Sequence, residues 1–285
     1  MKPAPFEYHR PSTVDEAIGL LGELGDEAKV LAGGQSLVPM LNLRLARFEH
    51  LIDLNGVEGL DGVDAGGEDI SLGALVRVHD VALGAVSAVP LLTQAARLVG
   101  HPAIRHRGTV AGSIAHADPA AELPTAALVL DAVITAIGPA GRRDIPAASF
   151  FVDYWQTALE PDEIITSVRV PIPTTPGSMA VRELTRRHGD FAIAGAMCQL
   201  DLDGDSIRSA SIGLFGMGPT PLRATAAEHA LLGQRTSSLD LTDVVVTPEH
   251  VHPSTDVHAT AEYRMRVCNH LLVEVVTAAC EDGAR

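Results

Sequence analysis

VLAGGQSLVPMLNLRLARFEHLIDL, residues 30–54, carries the most informative local pattern in this chain. A short apolar run leads into a small-residue loop, residues 32–36, then into an apolar-periodic segment and a second apolar run, Leu51–Leu54. The pattern predicts a strand, a loop, a helix and a second strand. Such a loop presents unpaired backbone N–H groups at a helix N-terminus, where an anion can bind. Ser36 is the expected N-cap of this helix.

The composition is that of an acidic globular protein. The chain has 285 residues, 46% of them hydrophobic, and a formal net charge of −15. Its length allows one large or two modest domains, and its charge disfavours nucleic acid because a phosphate backbone is repelled. No apolar run approaches the roughly 20 residues that a membrane helix needs, and the N-terminus has no signal-peptide core. We therefore expect a cytoplasmic protein.

A proline-rich segment, PIPTTPG at residues 171–177, is the strongest linker signal. Before it, helices alternate with apolar strands, and a polar, glycine-rich passage over residues 55–67 marks a subdomain boundary. After it, β-like runs precede helices, which is typical of an α+β domain with an antiparallel sheet. We expect one domain at 1–176, with subdomains of about 1–55 and 56–176, and a second at 177–285.

Several local elements follow from the same patterns. Thr13 and Glu16 have the spacing of a capping box, which predicts a helix that ends at Gly25. A turn is predicted over residues 138–143, and helices are predicted over about 224–232, 239–246 and 261–280.

A second small-residue loop, RGTVAGS, lies at residues 107–113, directly after a basic cluster. The cluster consists of His101, Arg105, His106 and Arg107. It is either ordinary surface charge or compensation for an anionic ligand, and the local sequence leaves both interpretations open. Two loops of this type in one domain could hold the two phosphates of a pyrophosphate.

The sequence gives little support for a triphosphate site, a Rossmann dinucleotide site, a nucleophilic serine or a metal site. The first loop lacks the lysine of a P-loop and the glycine order of a Rossmann turn, and no G-x-S-x-G nucleophile elbow is present. The three cysteines form no C-x-x-C pair, so we expect buried thiols rather than a cluster or zinc site on this chain. Two histidine groups could suggest a metal: His250, His252 and His258, and the pair His101 and His106. We interpret them as surface or capping histidines, because no carboxylate stands at helical spacing.

Three motifs together, AGGQSLVPMLNLRLARFEHLIDL, RGTVAGSIAHADPAAELP and RRHGDFAIAGA, resemble one family. This is the FAD-binding medium subunit of the molybdenum hydroxylases, the carbon monoxide dehydrogenase and xanthine dehydrogenase group. The similarity extends over the whole chain. It implies an α+β fold: a two-subdomain FAD-binding domain of the p-cresol methylhydroxylase/vanillyl-alcohol oxidase type, then a C-terminal antiparallel sheet with helices.

The resemblance also implies a cofactor site in which both glycine loops surround the FAD pyrophosphate. Asp118 and Glu122 match polar positions near the FAD sugar chain or ribose, Ile165 matches an aliphatic contact to the flavin ring, and Phe191 matches an aromatic position beside it. The implied FAD-binding residues are Ala32, Gly33, Gly34, Gln35, Ser36, Leu37, Thr109, Val110, Ala111, Gly112, Ser113, Asp118, Glu122, Ile165 and Phe191. No catalytic or metal-ligating residue is implied for this chain.

Two positions depart from the family pattern. Ala111 replaces the first glycine of the second loop, which would strain the backbone if φ there is positive and would cost nothing if φ is negative. Phe191 replaces a tyrosine seen in carbon monoxide dehydrogenases, which removes a hydroxyl and keeps an aromatic face.

By resemblance, the chain would be the electron-transfer subunit of an oxidoreductase. It would take electrons from [2Fe–2S] clusters on a small subunit, beside a large molybdopterin subunit, in a heterotrimer or its dimer. An external acceptor would then receive the electrons. A stand-alone flavin-dependent oxidoreductase and a flavin-free assembly subunit are the alternatives.

Overall fold

A computed structural model describes residues 2–173 and 178–283 of the chain. Residues 2–56, the first lobe, form a small parallel sheet with two helices. Its elements are β1 (Glu7–His9), α1 (Val14–Leu24), β2 (Ala28–Leu31), α2 (Leu37–Asn42) and β3 (His50–Asp53). β3 lies between β1 and β2, and both pairs are parallel. The predicted strand, loop, helix and strand are therefore confirmed, and the loop follows the carboxyl end of β2.

Of the helix caps predicted for the first lobe, those of α1 are observed and the side-chain cap of α2 is not. Thr13 Oγ1 accepts a hydrogen bond from Glu16 N (3.2 Å), and α1 is capped at Gly25, where φ is +53°. Ser36 precedes α2 as predicted, but its hydroxyl makes no capping hydrogen bond. The reason is its backbone conformation, since φ −98° and ψ −48° are helical whereas a capping side chain needs an extended residue.

Residues 57–173, the second lobe, contain an antiparallel sheet and a layer of helices. The sheet is made of β4 (Val63–Gly66), β5 (Asp69–Gly73), β6 (Val133–Gly138), β7 (Gly141–Pro146) and β10 (Ile164–Pro171). The helices are α3 (Val78–Ala82), α4 (Pro90–Leu98), α5 (Pro102–Arg105), α6 (Val110–His116) and α7 (Glu122–Val129). A small hairpin, β8 (Phe151–Asp153) and β9 (Gln156–Thr157), precedes β10 (Ile164–Pro171). The sheet order is β4-β5-β10-β6-β7.

The turn predicted over residues 138–143 is too long. Gly138 pairs with Gly141, so only two residues turn, and Arg142 and Arg143 belong to β7. Arg143 forms a bidentate pair with Glu163 at 2.6 Å, which holds this end of the hairpin.

The C-terminal part contains a four-stranded antiparallel sheet covered by helices, as predicted. Its elements are β11 (Met179–Leu184), β12 (Ala194–Asp203), β13 (Ser206–Phe215), β14 (Leu222–Arg223), α8 (Thr225–Leu231) and α9 (Ala261–Gly283). The strands are paired in chain order. The buried thiols of Cys198, Cys268 and Cys280 are free, in agreement with the sequence.

The prediction of a helix over residues 239–246 is wrong. A 3-10 turn covers Thr236–Ser238, and no helix follows until α9. Asp240 Oδ1 accepts from Thr242 N (3.0 Å), a local bond that competes with a helix. Val246 N instead donates to Asn269 Oδ1 of α9 (2.8 Å), so this segment docks in a non-helical form.

α7 joins the second lobe to the C-terminal sheet. All of its residues are buried, and a Cβ on Gly213 of β13 would lie 2.6 Å from Thr125 Cγ2 of α7. Only glycine permits this approach of strand and helix. Four residues of the predicted linker, 174–177, lie outside the described part of the chain. Within the described residues, no helix is long and apolar enough to cross a membrane.

Candidate functional site

The first loop, residues 32–37, is a partly exposed turn with a row of unpaired backbone donors. Gly33 is buried, and Gly34 has a φ of +72°, a conformation that favours glycine. Gln35 Nε2 donates to Gly33 O (3.1 Å), which closes the turn. Within residues 2–173 and 178–283, the backbone N–H groups of Gly33 to Ser36 donate to no protein acceptor. These N–H groups, of which that of Gly33 belongs to a buried residue, are therefore available to an anion.

The second segment, residues 109–113, is not the glycine loop that the sequence predicts. Thr109 is the N-cap of α6 and its hydroxyl accepts from Gly112 N (3.0 Å). Val110 to Ser113 therefore form the first helical turn. Ala111 lies inside this turn, 3% exposed, and is absent from the residues with positive φ. The alanine is accordingly unstrained, which decides the alternative that the sequence left open.

The two segments contact each other directly. A Cβ on Gly33 would lie 2.7 Å from the Cα of Gly108, and one on Gly112 would lie 3.6 Å from the Cβ of Ala32. Thr109 also forms an antiparallel bridge with Arg77, and Val110 N donates to Val76 O (3.1 Å). The first loop and the N-terminus of α6 thus form one surface.

A chain of hydrogen bonds between residues outside the predicted site fixes this contact. Asn55 Nδ2 donates to Ala32 O (2.8 Å), and Arg77 Nη2 donates to Asn55 Oδ1 (2.6 Å). Arg77 Nη1 donates to Arg107 O (2.6 Å), so Asn55 and Arg77 connect the first loop to the residue before Gly108.

Asp53 supports Asn55 at the start of this chain. Its Oδ1 accepts from Asn55 N (2.9 Å), and its Oδ2 accepts from Tyr8 OH (2.5 Å). Burial raises the pKa of Asp53, but the hydrogen bonds from Tyr8 and Asn55 outweigh burial and hold that pKa below its usual value. The only sequence signal for this network is a run of polar residues directly after a buried strand.

Asp118 and Glu122 occupy different environments. Asp118 Oδ1 accepts from Ala120 N (2.9 Å), and Trp155 Nε1 lies 3.4 Å from Oδ2. Glu122 begins α7 and is 7% exposed. Burial, followed by the like charge of Glu183 on β11, raises the pKa of Glu122 to about 8. Near neutral pH Glu122 is therefore mostly a carboxylic acid, which can donate a hydrogen bond.

Ile165 and Phe191 differ in accessibility. Ile165 lies in β10, is 5% exposed and belongs to the main apolar core. Phe191 is 63% exposed and follows a turn at Gly189, where φ is +86°. A Cβ on Gly189 would lie 2.9 Å from His101 Cε1, so this turn packs against the segment before α5. An exposed ring at this place is available to a planar ligand.

The basic cluster is partly structural. Arg105 Nη1 donates to the carbonyl oxygens of Val99 (3.1 Å) and Gly100 (2.8 Å), at the end of α4. The His106 ring stacks on His79, with centroids 3.7 Å apart. Both residues therefore make structural contacts within the chain.

The first loop and the N-terminus of α6 together suit an extended anion with two negative charges. Unpaired N–H donors line the first loop, only glycine fits at Gly33, and a capped helix N-terminus stands beside it. The residues present therefore suit the pyrophosphate of a dinucleotide such as FAD.

Two sequence families match the chain. The family described as "FAD binding domain in molybdopterin dehydrogenase" matches residues 4–173. The family described as "CO dehydrogenase flavoprotein C-terminal domain" matches residues 179–279.

Individual proteins are similar over nearly the whole chain. The 6-hydroxypseudooxynicotine dehydrogenase complex subunit alpha of Paenarthrobacter nicotinovorans is 38% identical, with 98% of this chain and 96% of that protein covered. The carbon monoxide dehydrogenase medium chain of Hydrogenophaga pseudoflava is 35% identical, with 98% of both covered. A solved structure of quinoline 2-oxidoreductase from Pseudomonas putida 86 superposes with a TM-score of 0.92 at 30% identity, covering all of both chains.

Proposed function

We propose a function that follows from the family of this chain. The chain belongs to the FAD-binding subunits of molybdopterin dehydrogenases, and within them to the carbon monoxide dehydrogenase type. Bound FAD supplies the redox chemistry. The proposal is that this chain accepts electrons from [2Fe–2S] clusters on a partner subunit and delivers them to an external acceptor. The observation that carries it is the row of unpaired N–H groups from Gly33 to Ser36 beside the N-terminus of α6.

The chain's own residues would bind and orient the cofactor. The N–H groups of the first loop would receive the pyrophosphate, with Leu37 at the start of α2 and Thr109 to Ser113 on the other side. Asp118 and Glu122 would hold hydroxyl groups of the sugar chain, and Phe191 would lie beside the flavin ring. Ile165, which has little exposed surface, would contact the ring with the edge of its side chain.

The domain division follows the same family. We propose a FAD-binding domain at 1–176, with subdomains of about 1–55 and 56–176, and a C-terminal flavoprotein domain at 177–285. In support, the two family matches end and begin on either side of residues 174–178.

The partners proposed are a small subunit with [2Fe–2S] clusters and a large molybdopterin subunit, in a heterotrimer or its dimer. The relatives are named as medium chains or subunits of dehydrogenases, which supports a multi-subunit assembly. Their names cite different substrates, which supports a substrate pocket on another chain.

The test separates this function from a stand-alone oxidoreductase. The purified chain should be yellow and release about one FAD per chain on acid denaturation. In the assembled complex, substrate should bleach the flavin absorbance, whereas the chain alone with the same substrate should stay oxidised. A chain that binds no added FAD would contradict the proposal, and rapid bleaching of the isolated chain would favour a stand-alone enzyme.

A further inference from the structure

A group of metal-ligating side chains lies at the start of the first-lobe sheet. Glu7 and His9 are two residues apart on β1, and Glu7 is directly opposite His50 in the parallel β1–β3 register. Because side chains alternate across a strand, all three residues project from the same face. We name Glu7, His9 and His50 the His50 cluster.

The distances suit a single small cation. His9 Nε2 and His50 Nδ1 are 3.0 Å apart, and His50 Nδ1 is 3.7 Å from Glu7 Oε2. All three ligand atoms lie within 4.8 Å of one another. A tetrahedral Zn²⁺ with bonds of about 2.0–2.1 Å places its ligand atoms roughly 3.3–3.4 Å apart. Two of the three separations bracket this value and the third, between His9 and Glu7, is within 4.8 Å, so a cation requires an adjustment of the exposed Glu7 side chain.

The surroundings favour a cation and leave it a route of entry. Carboxylates of Glu27 and Glu49 form a second group within 4.8 Å around the same His50. The His50 side chain is 15% exposed and that of Glu7 is 76% exposed. Two imidazoles with carboxylates are a ligand set typical of zinc.

The His50 cluster is separate from the cofactor surface. His50 pairs with Ala28 at the start of β2, whereas the first loop begins four residues later, at Ala32. At about 3.3 Å per residue, the two places are roughly 13 Å apart along the sheet. A metal at His50 would therefore take no part in flavin chemistry.

We propose that Glu7, His9 and His50 bind one Zn²⁺ ion, with water as the fourth ligand. The ion would connect β1, a three-residue strand near the N-terminus, to the central strand β3. Because β1 is an edge strand that, in the part of the chain the structure describes, pairs only with β3, a shared ion would add a second link between them and stabilise the lobe that carries the first loop. The sequence gives no warning of this site, because His9 and His50 are 41 residues apart.

The experiment measures zinc binding by the full-length protein after chelation and removal of the chelator. Titration against a chromophoric chelator should show one saturable site per chain, and zinc should raise the melting temperature. His50→Ala and Glu7→Gln should each weaken binding at least about tenfold, the lower limit for disturbing even an outer-sphere partner. His270→Ala should leave zinc binding unchanged, because His270 faces a single carboxylate, Glu274, on the exposed side of α9.

The outcomes are distinct. Glu7 is exposed, so Glu7→Gln keeps the proposal testable if His50→Ala fails to fold. Absence of saturable zinc binding, or equal affinity in Glu7→Gln and the unsubstituted protein, would overturn the proposal. The flavin spectrum should be the same with and without zinc, so a failure here leaves the proposed electron-transfer function untouched.

Discussion

A Cβ on Gly33 would lie 2.7 Å from the Cα of Gly108, closer than real Cβ atoms approach other heavy atoms. The backbone of the first loop therefore rests directly on the segment that leads into α6. Because neither backbone can give way without moving the other, the geometry of the cofactor surface depends on a glycine at this position.

Gly33→Ala should weaken FAD binding by at least about tenfold, or ~1.4 kcal/mol. The added methyl group would push the first loop away from Gly108 and misplace its N–H donors. Fluorescence titration of the flavin-free protein measures the effect. Gly19→Ala is the control, since Gly19 is exposed in α1 with nothing near its Cβ position, and there alanine should add about 0.5–1 kcal/mol of stability. Unchanged FAD affinity in Gly33→Ala would show that the contact is dispensable.

Gly34→Val should abolish FAD binding. At φ +72° a β-branched side chain is strained, and its Cβ would lie 3.1 Å from both Leu31 Cδ1 and Val38 Cγ2, in the loop that receives the pyrophosphate. The matched control is Gly67→Val, which has a φ of +80° but nothing near its Cβ position. Normal flavin content in the Gly34 variant would show that the loop has another role.

Ala111→Gly should lower stability without improving FAD affinity. Because Ala111 is buried in the first turn of α6 with negative φ, glycine would remove a buried methyl group and add chain entropy, a loss of about 1–2 kcal/mol in total. Urea denaturation measures the loss, and the FAD dissociation constant should stay within about twofold. A marked gain in affinity would mean that the bound state requires a glycine conformation here.

Asn55→Ala and Arg77→Lys should each raise the FAD dissociation constant roughly tenfold to a hundredfold. Each change breaks the hydrogen-bond chain from Ala32 O to Arg107 O, and bonds to a charged group contribute about 1.5–3 kcal/mol. The double variant should lose less FAD-binding free energy than the two single variants lose together, because both residues act through one chain of hydrogen bonds. Arg235→Lys, at a surface pair with Asp205, is the control. Additive losses would contradict a shared role.

Glu122 and Glu183 should make the flavin-free protein less stable as pH rises from about 4.5 to about 8. Burial raises the pKa of Glu122 to about 8 and that of Glu183 to about 7, above the ordinary value of 4.5. The folded state then holds more protons than the unfolded state, so this stability is complete below about pH 4.5 and is lost as pH rises through the folded pKa values.

Each of these groups contributes a slope of up to ~1.4 kcal/mol per pH unit. Urea denaturation between about pH 5 and about pH 8 measures how the free energy of unfolding falls with pH. Glu122→Gln should remove about half of that fall. Glu262→Gln, at an exposed position of α9, should leave the slope as it is. An undiminished slope in Glu122→Gln would assign the proton uptake to other groups.

Local sequence patterns predicted most of the elements and the first loop. Apolar periodicity and glycine placement gave β2, the loop, α2 and β3, because local spacing sets which residues can share a buried face. It also indicated the antiparallel C-terminal sheet and the buried cysteines. It failed at residues 239–246, where apolar spacing suggests a helix and tertiary bonds to α9 hold a non-helical segment.

Contacts between distant residues became predictable only once the chain was folded. The approach of Gly33 to Gly108 and the links through Asn55 and Arg77 depend on the packing of the first lobe on the second. The His50 cluster likewise depends on the parallel register of β1 and β3. Local sequence carries propensity and periodicity, whereas these relationships join residues tens of positions apart, and only the folded chain fixes the distances between them.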